Sequence, residues 1–496
     1  MYKKISVLAL GLDKLHFQEK FENYYNEFKN LNYILSFRKI PNSFSISKLD
    51  WIDSSKLYKI NRVFEAYHLS KKSTLDSNFL SKMYECEHLF YSALDRCSTE
   101  TRSQNENNSY FLDLLLFFKS FFELKKDITH IFFPSTPHFP VDIVLFYVSK
   151  YFSIKSIILN RTDFNNKFFF REDWRLMHPF IIDHKYKPSK KIECNKKIDD
   201  SNFVKYSKVL NEKAKNNFQV DKNLFKVFLT YFKLIKISIN YFKEREVSSI
   251  FYLNKRTSWF DIIISIIQRF KKDRILKILY RKLTKEVDFS KEFVFFPLHF
   301  QPERSTDPEG LLFSNQLTAI NLLRENLPLN YFLYIKEHPR QFDNRDFPDL
   351  RKNSFRDELF YKKIFNLKNT MLVDINVDSK ILIEKANAVV TLTGSSGWEA
   401  IKKLKPAIVF GYPWYSSFKG CYHIKTEYDL IKVFNKMKKT NNFFSDQDVE
   451  NYIHSLENKL FDAYIGPYYF NGNNKQYKSI IKQFSFNLNQ FIISGE

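Results

Sequence analysis

Glycine is scarce in this sequence, 9 among 496 residues, and the shortage travels with a bias towards Lys, Asn, Phe and Ile. An AT-rich genome would impose the same bias without any mechanistic purpose. The four cysteines, Cys86, Cys97, Cys194 and Cys421, form no C-x-x-C pair. That spacing indicates neither a disulfide framework nor a zinc site, and it fits a reducing compartment. No uncharged apolar run reaches the ~18 residues of a transmembrane helix, so membrane association would be peripheral. The opening Met1-Tyr2-Lys3-Lys4 leads into a short apolar stretch that meets Asp13 and Lys14 without a small-residue cleavage site. It reads as a first buried strand and not as a signal peptide. Zinc-finger spacing and an RNP-like aromatic signature are missing too, which argues against nucleic acid as a partner.

What is present in quantity is aromatic and basic. Hydrophobic residues make up 44% and aromatic residues 18%, with 54 Phe and 29 Tyr, so the chain folds around aromatic-rich cores and is not disordered. Its length exceeds what one core usually serves, and two large domains are expected. The 78 Lys and Arg outnumber 55 Asp and Glu, a formal charge of +23 that favours anionic partners such as a phosphorylated small molecule or an anionic lipid surface.

The order of patterns gives an α/β fold. Lys4 to Leu10, Tyr33 to Phe37, Ile128 to Phe133 and Ile154 to Leu159 read as strands, with Val141 to Tyr151 as a helix between the last two. Residues 1–165 are therefore assigned to an N-terminal Rossmann-like domain. Residues 166–292 read as a helical, Lys-rich insertion, with a solvated stretch at Asp199 to Asn217. Within it, Phe225 to Phe242 has the pattern of a basic amphipathic helix, which either lies on a membrane or packs on the domain. Strands and helices alternate again over 293–465, a second doubly wound domain, and 466–496 reads as a closing helix.

Three polar loops in that second domain each follow a short apolar run. They are Gln301-Pro302-Glu303-Arg304-Ser305-Thr306, Lys336-Glu337-His338-Pro339-Arg340 and Thr393-Gly394-Ser395-Ser396-Gly397-Trp398-Glu399. If the runs are parallel strands, the loops share one sheet edge, where open α/β sheets bind ligands. Gly394 lets a phosphate approach the backbone, and Ser395 and Ser396 supply hydroxyls at a helix start. A plainer reading is a capping box, in which Ser396 and Glu399 serve only their own helix. His338 can donate to a phosphate oxygen, held in an extended or turn backbone by Pro339, with Lys336 and Arg340 adding charge. Glu303 and Asp307 are the candidate catalytic carboxylates, and Gln301 and Arg304 the candidate substrate or acceptor residues, Arg304 being able to hold an acidic substrate. His138 and Asp142 occupy the matching edge of the first domain as candidate acceptor residues.

Through FFPLHFQPERST, YIKEHPR and TLTGSSGWEAIKKLKPAIVFGYPWY, the stretch Phe293 to Tyr415 resembles bacterial capsule and surface-polysaccharide biosynthesis proteins related to the β-Kdo transferases. The resemblance covers about a quarter of the chain, with weaker echoes at Leu94-Asp95-Arg96 and Thr136-Pro137-His138. It implies a GT-B architecture, two Rossmann-like domains facing across a cleft, with a nucleotide-sugar donor and a glycan or lipid-linked acceptor. The His-Pro and Ser-Ser motifs are also similar to the CMP-binding motifs of bacterial sialyltransferases. That similarity implies that His338, Ser395 and Ser396 hold the phosphate of a CMP-sugar, which is a substrate and not a cofactor. The β-Kdo transferases tend to read Q-x-E-x-D where this chain has Gln301, Glu303 and Ser305, so another nonulosonic acid donor is as well supported as Kdo. No D-x-D pattern sits in these loops, and metal independence is expected, in a cytoplasmic enzyme with peripheral contact to an anionic membrane at most. The same two motifs resemble teichoic-acid-type CDP-alditol phosphotransferases, and a non-catalytic assembly protein on the same fold is the third reading.

Overall fold

The computed structural model describes residues 6–10, 28, 30–36, 50–97, 103–164, 166–177, 209, 211–212, 215, 259–301, 303–342, 355–440, 442–457, 459–463 and 474–494. The helix expected at Phe225 to Phe242 lies outside them, as does nearly all of the stretch Asp199 to Asn217. The described residues divide into two units. One holds those up to residue 177 together with those after His454, and the other holds those from 209 to His454.

The first unit is built on a seven-stranded sheet. Strands β1 (Val7–Leu10), β2 (Leu31–Ser36), β3 (Asp50–Asp53), β4 (His130–Phe133) and β5 (Lys155–Arg161) are mutually parallel, in the order β5-β4-β1-β2-β3. The sheet continues beyond residue 165: β6 (Lys167–Arg171) pairs antiparallel with β5, and β14 (Phe461–Asp462) pairs antiparallel with β6. The chain therefore returns to its first sheet at its end. Helix Asn474–Ser494 packs Ile481, Phe484, Leu488, Phe491 and Ile492 against Ile34, Phe132, Ile157 and Phe170. Phe484 is the hub of this layer, with ring centroids 5.8 Å from both Phe132 and Phe170, 6.1 Å from Phe28 and 6.3 Å from Phe461.

The second unit carries seven strands in the order β13-β12-β11-β8-β9-β10-β7, all parallel. They are β7 (Thr284–Lys285), β8 (Phe293–Pro297), β9 (Phe332–Lys336), β10 (Thr370–Val373), β11 (Ala388–Thr391), β12 (Ala407–Val409) and β13 (Cys421–His423). Their continuous apolar runs have a direct cause. In β8, Val294 and Phe296 enter the core on one face while Phe293 and Phe295 enter the core on the other, and β9 and β11 divide their residues in the same way. Side-chain caps start the intervening helices: Asn315 for Gln316–Asn326, Asp357 for Glu358–Phe365, Asp378 for Ser379–Lys385 and a Thr426/Asp429 capping box for Glu427–Lys439.

Strand order fixes where a ligand can sit. The chain winds from β8 outward to β9 and β10, then returns to the other side of β8 with β11 and winds outward again through β12 and β13. The direction reverses between β8 and β11, and such a reversal leaves a crevice at the carboxyl ends of the two strands. The first sheet reverses between β1 and β4.

Phe484→Ala removes the aromatic hub of the first unit and is expected to lower its stability by about 3–5 kcal/mol, read from urea unfolding of the intact protein.

Candidate functional site: three loops at one sheet edge

All three polar loops leave the carboxyl edge of the second sheet. β8 and β9 run in register from Phe293↔Phe332 to Pro297↔Lys336, and β11 pairs Val389 with Phe295 on the other side of β8. The Gln301 and Ser395 loops therefore flank the reversal point, and the His338 loop lies one strand further out.

A buried polar network ties the loops together. Glu337 and Arg356 form an ion pair of 2.6 Å whose side chains are 0% and 2% exposed. Glu337 Oε2 also accepts from the Tyr361 hydroxyl at 2.8 Å, and its Oε1 accepts from the backbone N–H of His338 at 2.7 Å. Arg356 donates further to the carbonyls of Phe355 (3.0 Å) and His299 (3.2 Å) and to Oε1 of Gln301, and it stacks 4.3 Å from the Phe360 ring centre. Gln341 completes the link by exchanging hydrogen bonds with the Gln301 backbone at 3.0 and 3.1 Å. On the other side of β8, His299 bridges to β11. The N–H of Leu392 donates to its Nε2 at 3.1 Å, so that nitrogen carries no proton and also takes the Thr391 hydroxyl at 2.6 Å. Thr391 Oγ1 in turn accepts from the N–H of Gly394 (3.0 Å), and the Thr393 hydroxyl donates to the Ser305 carbonyl at 2.8 Å.

His338 is half-buried and its tautomer is set. The N–H of Arg340 donates to Nδ1 at 3.2 Å, which leaves the proton on Nε2. Burial, with Arg340, His299, Lys336 and Arg356 nearby, lowers its pKa to about 3, so the ring is a neutral donor near pH 7. Arg340 stacks 4.8 Å from the Phe300 ring centre and lies 3.8 Å from Glu303. Burial raises the pKa of Glu303, opposed by Arg340, Ser305 and Arg304, while 43% of its side-chain surface stays open. Asp307 is buried, and Arg304 pairs with Glu309 at 3.1 Å.

The other expected residues divide. Ser395 is exposed and Ser396 half-exposed, in the first turn of helix Ser395–Ile401, and no hydrogen bond holds either side chain among the described residues. The capping-box reading of Ser396 and Glu399 does not hold: Gly394 is the N-cap and makes no side-chain hydrogen bond. Close packing explains Gly397, because a Cβ there would run into the Tyr415 hydroxyl that donates to the Gly394 carbonyl. Lys336 stands apart, its ammonium buried on β9 and bound to the Val377 carbonyl and the Ser379 hydroxyl (2.5 and 2.8 Å), its pKa lowered to about 7 chiefly by burial. Gln301 is buried inside the network, where it also meets Gln316 at 3.0 Å. Pro339 opens the short 3-10 turn Pro339–Phe342. In the first unit, His138 bonds the Thr136 carbonyl at 2.7 Å, and Asp142 lies buried in the first turn of helix Pro140–Tyr151. There Asp142 accepts from Tyr58 (3.2 Å) and from the His138 and Phe139 backbone, with burial raising its pKa to about 7. Among the described residues no three His, Cys, Asp or Glu side chains gather as a metal site, and no helix is long and apolar enough to cross a membrane.

Sequence reasoning missed Arg356, His299, Gln316, Tyr361 and Tyr280, whose hydroxyl accepts from the Glu337 N–H and donates to the Val373 carbonyl. Only His299, two residues before Gln301 and directly after an apolar run, left a readable signal.

Residues 312–455 match the family model for capsule polysaccharide biosynthesis proteins. The matched segment contains the His338 and Ser395 loops, β9 to β13 and Arg356; the Gln301 loop precedes it. No curated protein matches the chain significantly in sequence. Among solved structures, the KpsC β-Kdo 2,7 transferase of Thermosulfurimonas dismutans is 12% identical at a TM-score of 0.28, covering 78% of this chain and 88% of its own. The β-Kdo 2,4 transferase of the same organism is 11% identical at 0.25, with 66% and 88% covered. A UDP-GlcNAc 2-epimerase of Methanocaldococcus jannaschii is 11% identical at 0.23, with 91% and 99% covered. At such scores the likeness bears on neither activity nor substrate.

The two site histidines predict a pH dependence. Burial first, with Arg356 beside it, lowers the pKa of His299 to about 4, and that of His338 falls to about 3, both from 6.5. Between about pH 6.5 and 4 the unfolded chain binds protons that the folded chain refuses. Their contribution is complete above pH 6.5 and is lost as pH falls, by up to about 1.4 kcal/mol per pH unit for each ring. The urea midpoint is expected to drop from pH 7 to 4.5, and His299→Gln to flatten part of that slope.

Proposed function

We propose that the second unit is the donor-nucleotide site of a glycosyltransferase in capsule or surface-polysaccharide biosynthesis, which transfers an acidic sugar from a CMP-activated donor to a glycan or lipid-linked acceptor. The observation that carries this reading is the Arg340 N–H on Nδ1 of His338, which leaves Nε2 as the donor, at the same sheet edge as the Ser395 and Ser396 hydroxyls beside a strand-order reversal. Preset donors of this kind suit a phosphate whose charge grows as the sugar leaves, because they need no reorganisation at that moment. The family match over residues 312–455 supports the polysaccharide context. Glu303 is the carboxylate within reach of solvent, and its raised pKa suits a group that exchanges a proton with the acceptor hydroxyl. Asp307 is packed inside its loop and is the weaker base candidate. With Arg304 engaged by Glu309, Arg340 beside Glu303 suits the carboxylate of an acidic sugar better than the Arg304 expected from the sequence.

The phosphotransferase alternative asks more of His338. A histidine that takes part in phosphoryl transfer as base or nucleophile needs an unprotonated nitrogen facing the substrate, and here the lone pair on Nδ1 is occupied by the Arg340 N–H. A holding role fits that geometry better. Cytoplasmic location belongs to the same proposal, with peripheral contact to an anionic membrane supported by the charge of +23.

Calorimetry tests the site. His338→Ala and Ser395→Ala are each expected to weaken CMP binding at least about tenfold, or ~1.4 kcal/mol. CMP affinity unchanged in both variants removes the assignment. Product analysis separates the readings: a glycosidic bond plus free CMP supports transfer of a sugar, whereas a phosphodiester supports the phosphotransferase. Turnover is expected to persist after chelation, and its loss with recovery on Mn²⁺ or Mg²⁺ contradicts the metal-independent form.

A further inference from the structure

Arg356 lies outside all three loops, yet among the described residues it is the one side chain bonded to residues of both the Gln301 loop and the His338 loop through a buried charge. Resting on the reading of His338 as a phosphate holder, we propose that Arg356, acting through Glu337, is a positioning residue that fixes His338 in its Nε2–H tautomer.

The steps are geometric. Arg356 Nε and the Tyr361 hydroxyl both take Glu337 Oε2, at 2.6 and 2.8 Å, which turns Oε1 back towards the main chain. Oε1 then accepts the backbone N–H of His338 at 2.7 Å. With that N–H anchored, Pro339 starts the turn Pro339–Phe342, which brings the Arg340 N–H to Nδ1 of the same histidine. A backbone donor on Nδ1 leaves that nitrogen as acceptor, so the ring's single proton resides on Nε2. The planar guanidinium is required because it serves Glu337, Gln301 and two carbonyls from one fork. A lysine offers one compact charge and cannot meet all four. Phe360, 4.3 Å beneath the guanidinium, and the two carbonyls prevent Arg356 from turning away. The consequence for the proposed reaction is specific: His338 meets the phosphate as a hydrogen-bond donor without carrying charge.

The test reads the tautomer itself. Nitrogen-15 spectra of the full chain, with the His338 signals assigned by their disappearance in His338→Gln, should show a protonated Nε2 and a bare Nδ1 at pH 7. A proton on Nδ1 in the unmodified protein overturns the proposal whatever the variants do. Arg356→Lys should mix the two tautomers and weaken CMP binding by about tenfold. Leu323→Ala, a truncation in the core of the same unit that removes no hydrogen bond of the network, should lower stability while leaving the tautomer unchanged and CMP affinity within about twofold. Should Arg356→Lys fail to fold, Glu337→Gln carries the same comparison. If either network variant keeps a pure Nε2–H ring, or loses affinity only in step with Leu323→Ala, Arg356 has a structural role alone. If the unmodified protein shows the Nε2–H ring and binds no CMP, the functional reading fails and the positioning role stands.

Discussion

A carboxylate and a guanidinium taken out of water, Glu337 and Arg356, are the constraint on which the rest of the second unit depends. Removing both charges from solvent costs several kcal/mol per ion, and the mutual attraction repays this only when every remaining donor and acceptor is used. Here they are used: Tyr361 and the His338 N–H complete Glu337, while Gln301, His299, Phe355 and Phe360 complete Arg356. The partners are spread over three segments that sequence alone does not connect. Satisfying the pair therefore fixes the ends of β8 and β9 relative to each other, and the shape of the site follows from the requirement that no charge be left unpaired.

The His299 bridge extends that constraint to β11. Its Nε2 accepts from Leu392 and Thr391, and Thr391 holds the Gly394 N–H at the start of the Ser395 helix. The loops need not be ordered by a ligand, because two buried histidine and arginine anchors have ordered them already. Preorganised donors of this kind stabilise developing charge more effectively than mobile ones. What stays open to solvent includes the Ser395 and Ser396 side chains, the half-buried His338 ring, the Glu303 carboxylate and the part-exposed guanidiniums of Arg304 and Arg340.

Legibility in the sequence followed burial chemistry. Five strands of the second unit, β8 to β12, were readable because they run apolar without alternation, the central ones feeding two cores as Phe293 to Phe296 and Ala388 to Val390 show, whereas the short half-exposed edge strands β7 and β13 were not. The antiparallel additions β6 and β14 were not readable, since Phe461 and Asp462 make a strand only by meeting β6 from a distant part of the chain. Among site residues, the loops announced themselves by composition. Arg356 did not, because one buried arginine among 78 Lys and Arg carries no mark of burial until the fold gives it Glu337. Ser396 and Glu399 misled in the opposite direction: the S-x-x-E spacing is a capping box only if Ser396 precedes the helix, and Gly394 holds that place.

The central claim is that the three loops form one cooperative body held by buried polar bonds. Native-state hydrogen exchange of the ligand-free protein tests it most directly, at the amides of Gln301, His338, Arg340, Leu392 and Gly394, each of which donates to a side chain of the network. If the loops are one body, these amides open with a single free energy, within about 1 kcal/mol of each other, and lose protection together as denaturant rises. Separate opening energies for the His338 and Ser395 loops, each close to that of a fraying surface turn, would contradict the account.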